Sequence, residues 1–313
     1  MVFNKLKKRT INETADELGF GTKYADDSSR IINKDGTFNI NKIGSTYHLY
    51  HDLIQMSWRR FFILIFLFYL GLNIFFAFLY LGIGAENIAE AKTDSFLGKF
   101  SAAFFLSAQT LTTVGFGFYR PIGNGANLLA SFEALFGLLC FALATGLLYG
   151  RFSKPEGGII FSKNALITPF KSGFPSLQFR IANGHDNSLI ELEAKIIFTI
   201  LENHDGVVKR GFYRLNLESN EIYFLSMNWT LVHNINEESP MFGISKDELI
   251  EKKAEILVLI KSFNESFSQV VHSRTSYSAT EFLWGQKFVL PYTFDEKMKT
   301  IFDLKRLNET TPI

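Results

Sequence analysis

The stretch Thr110–Phe118, TLTTVGFGF, decides how this chain is read. Two apolar runs flank it. Phe61–Ile83, FFILIFLFYLGLNIFFAFLYLGI, carries no charge. Asn127–Tyr149, NLLASFEALFGLLCFALATGLLY, carries one, Glu133. Each is long enough, at about 1.5 Å per residue, to cross a hydrocarbon core of about 30 Å. The reading predicts transmembrane helices over 58–83 and 125–152. Between them, Ser95–Gln109, SFLGKFSAAFFLSAQ, is apolar but too short to span, which predicts a half-helix over 95–109. Ser95 or Asp94 suits its N-cap. The order is therefore span, half-helix, TTVGFG, span. Non-helical backbone at membrane depth persists only where protein buries it or where it lines a water path.

The 313 residues are 47% hydrophobic and include 34 Phe. That is too apolar for an ordinary soluble chain and too polar for a bundle of membrane helices alone. A short membrane part joined to a polar part is expected, about two domains. A net charge of +1 gives no reason to expect nucleic acid as a partner. The single Cys140 excludes an intrachain disulfide. The start, MVFNKLKKRT, is basic with no apolar run behind it, so no cleavable signal peptide is expected. Arg59 and Arg60 precede the first span, and Arg151 and Lys154 follow the second. The positive-inside rule then puts both termini in the cytoplasm. The six histidines have no metal-ligand spacing. No nucleophile–base set or phosphate loop is visible, so neither enzyme activity nor a cofactor is expected.

A half-helix entering from outside points its C-terminal partial negative charge at the membrane centre, which favours a cation there. Gly115 and Gly117 take positive φ without steric cost. Alternating backbone conformations can then turn successive carbonyls to one side. Rings of such carbonyls from several chains would replace the water around a dehydrated cation. Thr113-Val114-Gly115-Phe116-Gly117 resembles the TVGYG filter of potassium channels, with Phe116 in place of Tyr. The resemblance implies K+ binding at Thr113, Val114, Gly115 and Phe116, with Thr112 supporting the filter from below. The missing hydroxyl removes one possible hydrogen bond, worth about 0.5–1.5 kcal/mol.

From Gly158 onward the pattern changes. Leu177, Phe179 and Ile181 alternate with polar residues, as do Ile190, Leu192, Ala194, Ile196, Phe198 and Ile200. Glu221–Asn234 and Ala254–Lys261 are further strand-like runs, and Ser172-Gly173 and Asp205-Gly206 are turn signals. Many short strands predict an all-β sandwich. Before the first span, Tyr47–Ser57, YHLYHDLIQMS, is amphipathic at helical spacing and suits the inner membrane surface. It could equally extend the first span inward.

Taken in order, YHDLIQMSW, FFLSAQTLTTVGFG, LLYGRFSKP, IIFSKNALI, FRIAN, NWTLVHNINEESPMFG and SRTSYSATEFLWG resemble the inward-rectifier potassium channels, most closely their prokaryotic branch. The resemblance covers nearly all of the chain beyond about residue 40. It implies a membrane α-helical two-span potassium-channel pore joined to an all-β immunoglobulin-like cytoplasmic sandwich. The pore would comprise a slide helix, first span, re-entrant pore helix and second span. The implied divisions are an N-terminal segment 1–46, slide helix 47–57, pore 58–152 with filter 112–117, and sandwich 153–313. Two spans cannot enclose a pore, so a homotetramer is expected, in a bacterial inner membrane. The cysteine pair that flanks the pore in animal members is absent here.

On the second span, Gly137, Phe141, Thr145 and Tyr149 recur every four residues near one face. Tyr149 falls where the family narrows the helix-bundle crossing and is assigned to the gate. Phe141 falls at the cavity position where strong rectifiers carry an acid, and Thr145 lines the pore between them. Gly137 and Gly146 are candidate hinges, although glycine also permits close helix packing. Glu133, the one ionisable residue in either run, is expected to buttress the filter through the pore helix or the Thr112 region, or else to be hydrated near the outer interface.

Rectification arises when Mg2+ or polyamines plug the pore, and Ba2+ is the diagnostic blocker. Phe141 in the cavity, and Lys261 where strong rectifiers have Glu in the cytoplasmic pore, imply weak intrinsic block. Asp205 is a possible second acidic site. Arg151 and Lys154 match two of the basic positions that bind anionic lipid in animal members, while Glu156 and Gly157 replace two more. Phe263–His272 matches a loop that forms a cytoplasmic constriction. Two rivals stand beside this reading: a non-selective cation channel, and a membrane-anchored sensing or binding protein.

Overall fold

The computed structural model describes residues 30–41, 43–44, 48–91, 94–154, 157–170, 173–185, 187–204 and 207–313. The basic start, Tyr47, Glu156, Ser172 and the Asp205-Gly206 turn lie outside them. Two compact units result. One runs from Gly44 to Lys154; the other joins the described residues of 30–43 to those that follow Pro155.

The membrane unit begins with α1 (Leu49–Gln55), then α2 (Trp58–Ile83). Met56 and Ser57 between them are extended, at ψ 155° and 148°, so α1 is a separate helix and not the start of the first span. α3 (Phe96–Leu111) is the half-helix and α4 (Gly123–Phe152) the second span. At 30 residues α4 is about 45 Å long. Long runs of α2 and α4 leave Phe62, Leu67, Phe75, Leu128, Leu138 and Leu143 exposed. Helices of this length and hydropathy are able to cross a membrane. Phe76, Ala77 and Tyr80 of α2 bury against Ala103 and Leu106 of α3. The loops on either side of the half-helix are tied by Ile122 N donating to Asn87 O (2.7 Å) and Ala89 N to Arg120 O (2.9 Å).

The second unit is a sandwich. Its strands are β1 (Ile159–Phe161), β2 (Ala165–Pro169), β3 (Pro175–Asn183), β4 (Leu189–His204), β5 (Val207–Arg214), β6 (Glu221–Phe224) and β7 (Asn228–Asn234). After a short helix α5 (Lys246–Glu251) come β8 (Glu255–Asn264), β9 (Gln269–Ser278) and β10 (Phe282–Trp284). Two small antiparallel pairs close the chain: β11 (Gln286–Phe288) with β14 (Thr310–Pro312), and, between them in sequence, β12 (Tyr292–Phe294) with β13 (Thr300–Phe302). In the first sheet β3 is central, with β1 and β2 on one side and β7 on the other. β10 runs parallel to β2. The second sheet has the order β5-β4-β8-β9, with β6 beside the start of β4. Leu177, Phe179 and Ile181 from one sheet meet Leu192, Ala194, Ile196, Phe198 and Ile200 from the other, as the alternation predicts.

Two expectations fail locally. The alternation along β4 starts at Leu192, not Ile190, because a bulge centred on Glu191 (φ 50°) shifts the register between Ile190 and Glu193. The run Glu221–Asn234 is not one strand. The chain leaves the second sheet after β6, where Leu225 N donates to Leu189 O (3.0 Å), and joins the first sheet as β7.

Residues 30–32 pack on the second unit. Ile31 and Ile32 bury against Ile197, Phe212 and Leu257, side chains on the face of the second sheet opposite the sandwich core. Glu255 accepts Ile31 N (2.9 Å) and Ile32 N (3.4 Å). Arg30 holds Glu281 at 2.7 Å and Ser276 Oγ at 2.7 Å.

Candidate functional site: the filter strand and its supports

The filter strand leaves the C-terminal end of α3. Gln109 O accepts both Val114 N (3.0 Å) and Gly115 N (3.2 Å), and Thr110 O accepts Thr113 N (3.0 Å). The strand's first amides thus complete the end of the half-helix, whose last carbonyls lack partners within the helix. Thr112 sits at the C-cap, and its Oγ1 donates to Ala108 O (2.7 Å). Beyond it Thr113, Gly115 and Gly117 have φ of 60°, 57° and 84°, alternating with Val114 and Phe116. That is the alternation of backbone conformation expected at these glycines. Glycine supplies it freely at 115 and 117, whereas Thr113 adopts it as a strained, non-glycine residue. Phe116 is 83% exposed on a single chain.

Gln109 is a support that the sequence reading missed. Its side chain is 8% exposed, and Nε2 donates to Tyr119 O (2.5 Å). It therefore binds the strand's first amides through its carbonyl and the segment after the filter through its amide. A polar residue closing an apolar half-helix was the available signal.

Glu133 is fully buried, so hydration at the outer interface is not its situation. Tyr80 OH of α2 donates to its Oε2 (2.7 Å), and Ser107 of α3 lies 2.5 Å from its Oε1. The contact with the half-helix is made at Ser107, not in the Thr112 region. Gly137 is also buried, and a Cβ there would stand 2.3 Å from Leu111 O. Its lack of a side chain lets α4 touch the backbone at the end of α3. At Gly146 no atom lies within 4 Å of such a Cβ, so packing does not explain that glycine. Phe141 and Tyr149 are each 74% exposed on one chain, and Thr145 is exposed on the same face. The Thr145 hydroxyl donates to Phe141 O (2.9 Å).

Arg151 is turned toward α1. It is buried, and its guanidinium donates to Leu53 O (2.5 Å), Ile54 O (3.0 Å) and Met56 O (2.7 Å). It also lies 4.4 Å above the rings of Trp58 and Phe61. It therefore caps the carbonyl end of α1, satisfying acceptors that a short helix leaves open. Gly150 allows α1 close: a Cβ there would meet Tyr50 OH at 3.1 Å. Of the two expected lipid contacts only Lys154 is exposed.

In the sandwich, Lys261 lies 3.9 Å from Glu193 on the neighbouring strand, an exposed pair. Phe263–His272 forms the β8–β9 hairpin, turning through residues 265–268 with Ser268 at φ 50°.

Residues 62–154 match the ion channel family, and residues 159–313 match the inward rectifier potassium channel C-terminal domain. The chain is 37% identical over 286 residues to inward rectifier potassium channel Kirbac3.1 of Paramagnetospirillum magnetotacticum, covering 90% of this chain and 95% of that one. It is 27% identical to human inward rectifier potassium channel 4, over 72% of this chain and 53% of that one. It is 25% identical to mouse G protein-activated inward rectifier potassium channel 2, over 90% and 71%. These are ion channels, and the match to Kirbac3.1 spans both units described above. Two apolar spans, a half-helix ending in TVGFG and a β-sandwich thus belong together: the chain is a membrane protein of the inward rectifier potassium channel family, in its prokaryotic branch.

Proposed function

We propose that four copies of this chain surround one axis and pass dehydrated K+ through stacked carbonyl rings of Thr113, Val114, Gly115 and Phe116. The observation that carries this is the alternation of positive φ at 113, 115 and 117, anchored by Gln109 O at the end of a half-helix. Carbonyl oxygens at that helix end favour a cation and disfavour an anion. Phe116 keeps the backbone of the filter and lacks only the hydroxyl behind it.

The exposed face Phe141, Thr145 and Tyr149 lines the pore below the filter. Tyr149 closes it at the bundle crossing by crowding and dewetting, and Gly146 is the bending point. Gly137 serves packing against the filter's support. The β8–β9 hairpin is a second constriction in the cytoplasmic pore. α1 lies along the inner face of a bacterial inner membrane, held by Arg151, with both termini cytoplasmic. Lys154 meets anionic headgroups, which is worth about 1 kcal/mol. Mg2+ and polyamine block is weak, because Phe141 offers no charge and Lys261 stands beside Glu193.

The test is ion flux into liposomes carrying the purified protein, K+ against Na+, with and without Ba2+. Uptake that prefers K+ and stops with Ba2+ is expected. Uptake without preference would make the protein a non-selective cation channel. No uptake in wild type or in Tyr149→Ala would favour a membrane-anchored sensing protein.

A further inference from the structure

We infer that Glu133 holds a proton, and that Asn73, Tyr80, Ser107 and Glu133 form one hydrogen-bonded brace positioning the pore helix from both spans. The argument is a count of hydrogens. Asn73, Ser107 and Glu133 are 0% exposed and Tyr80 is 1% exposed, so bulk solvent does not reach the group and the four side chains are counted against one another. Asn73 Nδ2 donates to Tyr69 O (2.7 Å), which fixes the amide with Oδ1 toward Ser107 Oγ at 3.1 Å. On its other side Ser107 Oγ meets Glu133 Oε1 at 2.5 Å. A serine hydroxyl has one hydrogen. Beside an ionised carboxylate, that hydrogen faces two acceptors, and one contact is oxygen against oxygen with nothing between. With the proton on Glu133 Oε1 every contact is satisfied. Glu133 donates to Ser107, Ser107 donates to Asn73 Oδ1, and Tyr80 donates to Glu133 Oε2.

Among the described residues no Lys, Arg or His acts on the Glu133 carboxyl. Charged groups on α2 are Arg59 and Arg60, in its first turn. α3 has only Lys99, about two turns before Ser107, and α4 otherwise only Arg151, about five turns away. Among the described residues Tyr80 is the titratable group in contact with it. A buried carboxylate without a partner is strongly disfavoured. The consequence for conduction rests on the channel reading. Ser107 precedes Gln109 by two residues, and Gln109 O anchors Val114 N and Gly115 N. The brace thus sets where the filter strand begins.

The test is infrared spectroscopy of the full-length protein in liposomes at neutral pH, with K+ uptake read in the same preparation. Wild type minus Glu133→Gln is expected to show the C=O band of a protonated carboxyl. Glutamine keeps the acceptor for Tyr80 and a donor for Ser107 but adds a second N–H, so uptake should fall below wild type and stay well above that of Glu133→Ala. Glu133→Ala should lose uptake. Asn73→Leu, which leaves Ser107 a single acceptor, should weaken the band. A wild type that conducts without the band overturns the proton assignment and leaves the channel intact. A wild type with the band but without uptake overturns the channel reading and leaves the proton. An Asn73→Leu variant with an unchanged band, or a Glu133→Gln variant as silent as Glu133→Ala, overturns the brace.

Discussion

Replacing Arg151 with alanine should release α1 from the membrane unit. α1 has seven residues and buries none of them fully. A helix that short is unstable alone, because nucleation costs more than so few bonds return. Its attachment rests on Arg151, which donates to three carbonyls and packs over two rings. A hydrogen bond to a charged group contributes about 1.5 kcal/mol at the low end, so three give about 4.5 kcal/mol. Water at the membrane surface recovers part of this when the side chain is removed. A net loss of about 2 kcal/mol is the conservative figure, and it corresponds to about 30-fold in the local opening equilibrium. The assay is hydrogen–deuterium exchange of the peptide spanning Leu49–Gln55, in the protein reconstituted in lipid. Exchange should accelerate about 30-fold or more in Arg151→Ala. Arg151→Lys should be intermediate, since one ammonium cannot reproduce the planar fork. An acceleration of less than about threefold would refute the reasoning, because the carbonyl cap would then not be what holds α1.

Gly137→Ala should lower the thermal stability of the assembly, since a methyl 2.3 Å from Leu111 O forces backbone apart at a cost of about 1–3 kcal/mol; unchanged melting would mean that α4 does not touch the end of α3. Phe141→Asp should strengthen polyamine block of outward current, and an unaltered block would remove Phe141 from the cavity. His233 gives a pH prediction. Burial holds its imidazole below the usual 6.5, Nδ1 faces Asn216 O at 2.6 Å and Nε2 faces Ser239 Oγ at 2.8 Å. Below 6.5 the unfolded chain binds the proton more readily than the folded one, so stability falls as pH falls. Thermal unfolding between about pH 7 and 5 should therefore shift less in His233→Gln than in wild type; equal shifts would show that this histidine is not the responsible group.

Much of this protein was legible because its physics is local. Membrane spans are written as uninterrupted apolar length, and the half-helix as a run too short to cross. The filter needs glycine at Gly115 and Gly117 and is recognisable in five residues. The two faces of a sandwich appear as alternation, which located Phe179 and Phe198 in one core. Where alternation misled, a non-local cause intervened: the bulge at Glu191, and the change of sheet between Phe224 and Asn228. Neither leaves a periodic trace.

The sequence by itself determined the two spans, the TVGFG strand and the β class of the second unit, since each follows from side-chain polarity along a single segment. Only the tertiary structure decided the roles that need two segments at once. It placed Arg151 at the carbonyl end of α1. It made Gly137 a packing contact with Leu111, and it placed Ile31 and Ile32 against the outer face of the second sheet. It also surrounded Glu133 with Tyr80 and Ser107. Hydrogen bonds and burial are properties of pairs far apart in the chain, and no one-dimensional pattern encodes which pairs meet.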